Sequence, residues 1–230
     1  MGIWEMNTGQ MIVAGGPLMI PIIFCSIISF GIIVEKFIYF SQSNTNIQQL
    51  KVEVWEFLKK NKIKEAVVAC ESNLSPVAKI LKAGILKFGH SREEIKEAME
   101  DVSLYEIPQL EKKLAALSTI ANISPLLGLL GTVTGMTGSF YTIQTRATGL
   151  NPVTPADLAG GIWQALITTV AGLVVAIPTF VAYNYFVSRV NAFVVDMERG
   201  GTELVNFLCH LSESHPVPDR IETSEIADRE

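Results

Sequence analysis

Three of the polar side chains in two long, uncharged stretches of sequence are candidates for chemistry. The stretches are residues 114–145 and 158–188, and the side chains are Thr132, Gln164 and Thr169. Each stretch is longer than the roughly 20 residues that a helix needs to cross the hydrocarbon core of a bilayer. A hydroxyl or amide group at that depth either bonds a neighbouring helix or faces a polar passage. These residue types therefore suit helix packing and proton or ion conduction.

Two interpretations of these groups stay open on the residues alone. A threonine hydroxyl can donate to the carbonyl one turn back, and Gln164 can bond another helix, so all three can serve packing only. Alternatively, Thr132 and Thr169 face one polar passage and Gln164 lines the same passage. Two hydroxyl groups on facing, glycine-rich helices favour the passage more than a lone threonine would.

Small residues recur at three- and four-residue spacing along both uncharged stretches. The predicted stripes are Gly128, Gly131, Thr132, Gly135, Gly138 and Ser139 on the first helix, and Gly161, Ala165, Thr169, Gly172, Ala176 and Thr179 on the second. Facing stripes of small residues let two helix backbones approach closely. We therefore predict that Gly128, Gly131, Gly135 and Gly172 are helix-packing residues.

Two prolines lie inside the same stretches. Pro125 and Pro178 each remove a backbone N–H donor and can bend a helix. Such a bend either improves packing or leaves carbonyl groups free beside a passage. Both prolines are grouped with the packing residues.

The sequence places no Asp, Glu, Lys, Arg or His in the core of these stretches. Proton relays in membranes normally use a titratable carboxylate or histidine. If this protein serves proton flow, the titrating group must come from a second membrane subunit that packs a carboxylate against the threonines. Protons would be the coupling ion, and we expect no cofactor. The chain has no nucleophile, phosphate-loop or metal-ligand motif, which predicts a protein that is not an enzyme and has no metal site.

A third apolar run supplies the first of three predicted membrane helices. Residues 15–34 are apolar and end at Glu35 and Lys36, and no basic residue precedes them as in a cleaved signal peptide. The sequence therefore predicts an all-α membrane protein with transmembrane helices at 15–40, 114–145 and 158–188.

The basic residues give these helices an orientation. Of 18 Lys and Arg residues, 13 lie from Lys36 to Lys113, and none precedes Lys36. Positive charge stays on the cytoplasmic side. This places 1–14 and the 146–157 loop outside, and 41–113 and the C-terminal residues inside. No basic, aromatic-rich surface suggests nucleic acid.

The inside segments read as helices. Ser91 and Glu94 have the spacing of a capping box, and the helix that they start is expected to run through Pro108 straight into the second membrane helix. Residues 189–212 extend the third membrane helix, with a weak point at Gly200–Gly201. Two membrane helices thus project into a helical cytoplasmic domain, and 213–230 is expected to be a disordered acidic tail.

Two motifs in the uncharged stretches resemble the ExbB/TolQ/MotA family of proton-channel subunits. They are P-x-x-G-L-x-G-T-V within 125–133 and A-L-x-x-T-x-x-G-L-x-x-A-I-P within 165–178, followed by Y-N. The order, the topology and the cytosolic domain before the second span also match, over most of residues 10–210. Three spans with an outside N-terminus look like the ExbB or TolQ branch.

The resemblance implies a homopentamer in the bacterial inner membrane, with 1–14 and 146–157 in the periplasm. Its central pore would hold helices of a single-span partner resembling ExbD or TolR. An aspartate of that partner would titrate against Thr132 and Thr169, and a protein like TonB or TolA would receive the work. Known branches carry glutamate where Gln164 stands, so proton carriage there is in doubt. A TolQ-like role and a non-conducting membrane scaffold remain the alternatives.

Overall fold

The computed structural model describes residues 8–44, 47–73, 75–147 and 154–214, and these form eight α-helices. Their bounds are α1 Thr8–Ala14, α2 Met19–Asn44, α3 Ile47–Lys59, α4 Ile63–Glu71, α5 Pro76–Leu86, α6 Arg92–Glu111, α7 Leu114–Ala147 and α8 Pro155–Ser214. Three segments of these residues are long and apolar enough to cross a membrane; they are Met19–Ser41, Arg92–Arg146 and Leu158–Leu211. The predicted all-α protein with three such helices is confirmed.

The chain divides into two compact units, of which the first comprises 1–39 and 111–188. It contains α1, most of α2, α7 and the first part of α8. The helix predicted over 15–40 begins at Met19 instead, because Gly16 has φ +70 and separates α1 from α2. Glycine adopts this left-handed conformation without the steric cost that a Cβ imposes. Residues 148–153 of the predicted loop lie outside the described residues.

The second unit comprises 40–110 and 189–230, and it has an apolar core of its own. Fully buried residues from α3, α5 and α6 meet the last part of α8; they include Val54, Leu81, Ile95 and Leu204. Two ring stacks also contact the last part of α8: Phe40 at the end of α2 stacks on Phe193, and Trp55 of α3 stacks on Phe207, with centroids 5.8 and 6.0 Å apart. Residues 215–230, which hold most of the tail predicted to be disordered, lie outside the described residues.

Helix starts in the second unit follow their capping residues. The Ser91 hydroxyl accepts the N–H of Glu94 at 3.2 Å and donates to its carboxylate at 3.0 Å, so the predicted cap of α6 is confirmed. Ser75 caps α5 in the same way by accepting the N–H of Ala78, and Pro76 occupies the first helical position. A proline fits there because the N–H that it lacks would have no partner within the helix.

Two expectations about helix continuity are wrong. α6 runs through Pro108 but ends at Glu111, since Lys113 has φ +71, so it does not continue straight into α7. Conversely, α8 is unbroken at Gly200–Gly201. A Cβ on Gly201 would lie 3.1 Å from the Cε of Met99. Met99 is a flexible side chain, so this contact alone does not require glycine at position 201.

Candidate functional site: the contact between α7 and α8

Within the first unit, α7 and α8 lie antiparallel and touch through small residues. Following α7 from Ser124 to Ser139, the partners on α8 run backwards from Gly172 to Gly161. A Cβ on Gly172 would lie 2.5 Å from the Ser124 carbonyl oxygen, and a Cβ on Gly135 would lie 2.6 Å from the Gly161 carbonyl oxygen. Contacts this close need glycine, because any side chain would push the two backbones apart.

The predicted packing glycines all lie in this contact. Gly128 faces the backbone of Thr169, with 3.0 Å between a Cβ on Gly128 and the Thr169 Cα, and Gly131 faces the Thr168 side chain. By contrast, Gly138 has nothing within 4 Å of its Cβ position, so this member of the predicted stripe lies away from the contact. Pro125 and Pro178 lie inside α7 and α8, and both helices continue through them.

Thr169 bridges the two helices. Its hydroxyl lies 3.1 Å from the carbonyl oxygen of Gly128 on α7 and 3.2 Å from that of Ala165 on its own helix. The Thr132 hydroxyl donates to the Leu129 carbonyl at 2.6 Å, within α7. A hydroxyl that bonds its own helix still has acceptor capacity for a group outside it.

The helix geometry puts Thr132 and Thr169 on the same side of the α7–α8 pair. Thr132 follows Gly131, which meets Thr168, by one residue, or about 100° of rotation around α7 at 3.6 residues per turn. Thr169 follows Thr168 by the same rotation around α8. Because the helices run antiparallel, these two rotations turn the threonines toward one flank of the contact. The hydroxyl groups that the sequence singled out are thus brought together on one flank.

Gln164 lies on the other flank. Its side-chain amide lies against Gly16, at the turn between α1 and α2, so closely that a Cβ on Gly16 would overlap it. Nearby, a Cβ on Gly15 would contact the Ile167 side chain at 3.4 Å. The structure therefore does not bring Gln164 together with Thr132 and Thr169. The Gln164 amide thus packs against the glycine turn between α1 and α2.

The sequence missed two residues of the contact. Thr168, rather than Thr169, occupies the centre of the α8 stripe; it is buried and donates to the carbonyl groups of Gln164 and Ala165. The spacing 161, 165, 168 and 172 would have identified it, since 168 keeps the helical period as well as 169 does. Ser124 is also fully buried, and its hydroxyl has no partner among the described residues.

The site has no carboxylate, histidine or basic side chain. Its polar groups are hydroxyl, amide and carbonyl groups, and 114–145 and 158–188 contain no charged residue or histidine. Among the described residues, no group of three or more His, Cys, Asp or Glu side chains is placed to hold a metal ion. Such a surface can hydrogen-bond water or a partner's carboxyl group, but it cannot itself take up a proton at physiological pH.

Comparison with known proteins identifies the class to which this architecture belongs. Residues 72–199, which include the second span and most of the third, match the model of the MotA/TolQ/ExbB proton channel family. The chain belongs to this family, and it is a membrane protein.

Individual relatives carry the names of two branches of the family. The chain is 36% identical over 184 residues to a "Putative biopolymer transport protein ExbB homolog" of Methanothermobacter thermautotrophicus, covering 79% of this chain and 63% of that protein. It is 32% identical to "Putative biopolymer transport protein ExbB-like 3" of Synechocystis, over 75% and 81% of the two chains. It is 30% identical to "Tol-Pal system protein TolQ" of Haemophilus influenzae, over 74% and 78%. The chain thus spans less than two thirds of the length of the Methanothermobacter relative.

Proposed function

We propose that this chain is the ExbB-like subunit of a motor in the bacterial inner membrane that is driven by the proton motive force. With a single-span, ExbD-like partner it conducts protons, and it passes the work to a TonB-like protein that energises transport across the outer membrane. The observation that carries the proposal is the pair Thr132 and Thr169 on one flank of two spans that hold no charged residue or histidine.

The partner's part in this proposal follows from the chemistry of that flank. A proton that crosses the low-dielectric core needs a group that can bind and release it. Hydroxyl groups can bond a carboxyl group in both its protonated and its ionised form, since they donate and accept. A partner aspartate next to Thr132 and Thr169 would therefore titrate where this chain supplies only hydrogen bonds.

Exposed apolar side chains on α7 support assembly around such a partner. Large apolar residues of α7 lie open outside the α8 contact; they include Leu126, Leu129, Leu130 and Val133, exposed by 47 to 60%. In the membrane these faces meet either lipid or other helices. We propose that they form a homopentamer with a central pore, with residues 1–14 and 146–157 periplasmic and 41–113 and 189–212 cytoplasmic.

The proposal is tested by replacing the bridging hydroxyl. Thr169→Val keeps the side-chain shape and removes the hydroxyl, so proton flux in liposomes that contain the partner should fall on the order of tenfold or more. Thr169→Ser keeps a hydroxyl and should retain flux. Thr137→Val is the matched control, because among the described residues the Thr137 hydroxyl bonds the Val133 carbonyl of its own helix and no group of α8.

The alternatives give different results. A non-conducting scaffold predicts no flux that depends on the partner in the wild type, and full assembly of Thr169→Val by native mass spectrometry. A TolQ-like subunit gives the same flux result as an ExbB-like one, and the relative named TolQ favours keeping it as the second candidate. Deletion of the gene separates these two: loss of TonB-dependent uptake indicates the ExbB-like role, and leakage of periplasmic protein indicates the TolQ-like role.

A further inference from the structure

Three lysines and one glutamate of the first unit form a lysine cluster at one end of its membrane helices. The Lys113 ammonium group contacts both carboxylate oxygens of Glu35 at 2.6 Å, and so joins α2 to the residue just before α7. The ammonium groups of Lys36 and Lys112 also attract this carboxylate. Lys36 is itself repelled by the other two lysines. Positive charge is in excess in this cluster, even when Glu111, the residue before Lys112, is counted.

The lysine cluster lies where two spans end. Glu35 is the first charged residue of α2, and Lys113 is the last charged residue before the uncharged part of α7. The bond between them sets these two ends at the same level. On α2 the neighbouring apolar side chains are open, with Phe37 61% and Ile38 50% exposed. Because basic and aromatic residues concentrate where the hydrocarbon core meets the headgroups, we place the lysine cluster at headgroup level.

Lys112 is the member of the lysine cluster that can take a further anion. It is exposed, and it forms no ion pair with any residue that the structure describes. Lys36, by contrast, is only 5% exposed, and its ammonium group lies 5.7 Å from the centre of the Tyr39 ring. A charge held in a buried position is screened less by salt than an exposed one. Lys36 therefore adds a lasting positive potential beside Lys112.

We propose that Lys112 and Lys113 bind the phosphate group of an anionic phospholipid whose acyl chains lie along the open apolar face of α2. Basic groups next to membrane spans attract anionic lipid headgroups. A free phosphate ion would suit the same ammonium groups, but Phe37 and Ile38 favour an anion that carries acyl chains. In the proposed orientation this lipid lies in the cytoplasmic leaflet. The site requires that the chain lies in a membrane, not that it conducts protons, so it goes beyond the proposed function.

The test measures which lipids the full-length protein retains. The protein is reconstituted into vesicles of equal parts phosphatidylglycerol and phosphatidylcholine, extracted in mild detergent and analysed by native mass spectrometry. Wild type should retain more phosphatidylglycerol than phosphatidylcholine. Lys112→Gln should lower the ratio of the two retained lipids by about fivefold, the effect of one basic residue at an anionic membrane surface. Lys112→Arg keeps the charge and should keep the wild-type ratio.

Two further variants separate this site from a general effect of charge. Lys87→Gln removes an exposed lysine of the second unit and should leave the ratio unchanged. Glu35→Gln removes the carboxylate that competes for Lys113 and should raise the ratio.

Three results would overturn the lipid site. One is equal retention of both lipids by the wild type, and another is the same loss of phosphatidylglycerol in Lys87→Gln as in Lys112→Gln. The third is displacement of the bound phosphatidylglycerol by excess inorganic phosphate, which would indicate a site for a free anion. Because proton flux enters none of these measurements, failure of the proposed function would leave their outcome unchanged.

Discussion

Replacing Gly172 by alanine should destabilise the first unit through one well-defined contact. A Cβ at this position would lie 2.5 Å from the Ser124 carbonyl oxygen and 3.2 Å from the Gly128 Cα. Carbon and oxygen atoms normally approach to about 3.3–3.6 Å at closest, so α7 and α8 would have to separate by roughly 1 Å. Both obstructing groups are backbone, and neither can rotate away.

The magnitude follows from comparison with Gly138→Ala on α7. Gly138 has nothing within 4 Å of its Cβ position. Both substitutions gain about 1 kcal/mol of helix propensity, so that gain cancels in the difference between them. What remains is the overpacking cost of about 1–3 kcal/mol, a factor of roughly 5 to 150 in the folding equilibrium.

Equilibrium unfolding in mixed detergent micelles, followed by circular dichroism, measures this difference. Gly172→Ala should unfold at a lower fraction of denaturing detergent than wild type, and Gly138→Ala at the same fraction or a higher one. Equal stability of the two alanine variants would refute the close contact between α7 and α8. The same result would remove the antiparallel register on which the placement of Thr132 and Thr169 depends.

Two further predictions concern the second unit. Lys79 bonds both carboxylate oxygens of Glu106 at 2.8 Å, and the side chains are 49% and 6% exposed respectively. In urea titrations, Lys79→Met should therefore lower the free energy of unfolding of this unit more than Glu106→Gln does. The Lys79→Met variant leaves the buried Glu106 carboxylate unpaired, which costs about 3–5 kcal/mol. A larger loss of stability in Glu106→Gln would contradict the burial of Glu106. Burial raises the pKa of the Cys70 thiol to about 12. In a variant with Cys25 and Cys209 replaced by serine, maleimide labelling of Cys70 at pH 8 should be slow until the protein unfolds. The free energy of unfolding should also fall as the pH rises from about 9 toward 12, because the Cys70 thiol ionises at a lower pH in the unfolded chain than in the folded one. Rapid labelling of the folded protein would contradict this prediction.

The sequence predicted much of the fold because membrane spans have a strong signal. A helix in lipid must be long and uncharged, so the absence of charge in 114–145 and 158–188 indicated two helices directly. The Ser91 cap was equally readable, since a hydroxyl and a carboxylate three residues apart satisfy local backbone donors.

Helix ends set by positive φ angles were harder to predict. Lys113 adopts φ +71 between α6 and α7, a conformation that costs a lysine about 1–2 kcal/mol and has no signal in its residue type. The Lys113 ammonium group bonds the Glu35 carboxylate at 2.6 Å, and this contact depends on the tertiary fold. Local sequence patterns do not contain such a contact.

The residue types of the site could be predicted from the sequence, but the direction in which each side chain points from its helix could not. Thr168 and Thr169 are neighbours, and a period of 3.6 residues fits either of them into the α8 stripe. In the structure the Thr168 side chain meets Gly131, whereas the Thr169 hydroxyl bonds the Gly128 carbonyl, and the sequence pattern does not distinguish these two contacts. Gln164 illustrates the same limit, because its contact with Gly16 depends on a turn that the sequence did not place.

The contact register of α7 and α8 also restricts how this part of the protein can move. Carbonyl oxygens and hydroxyl groups of one helix fit against glycines of the other at successive turns, from Ser124 with Gly172 to Ser139 with Gly161. Sliding one helix past the other would bring side chains onto these glycine positions, unless it moved a full turn of about 5.4 Å. We therefore expect α7 and α8 to move together as one rigid helix pair. In the proposed assembly, any cyclic motion would therefore occur at contacts outside this helix pair.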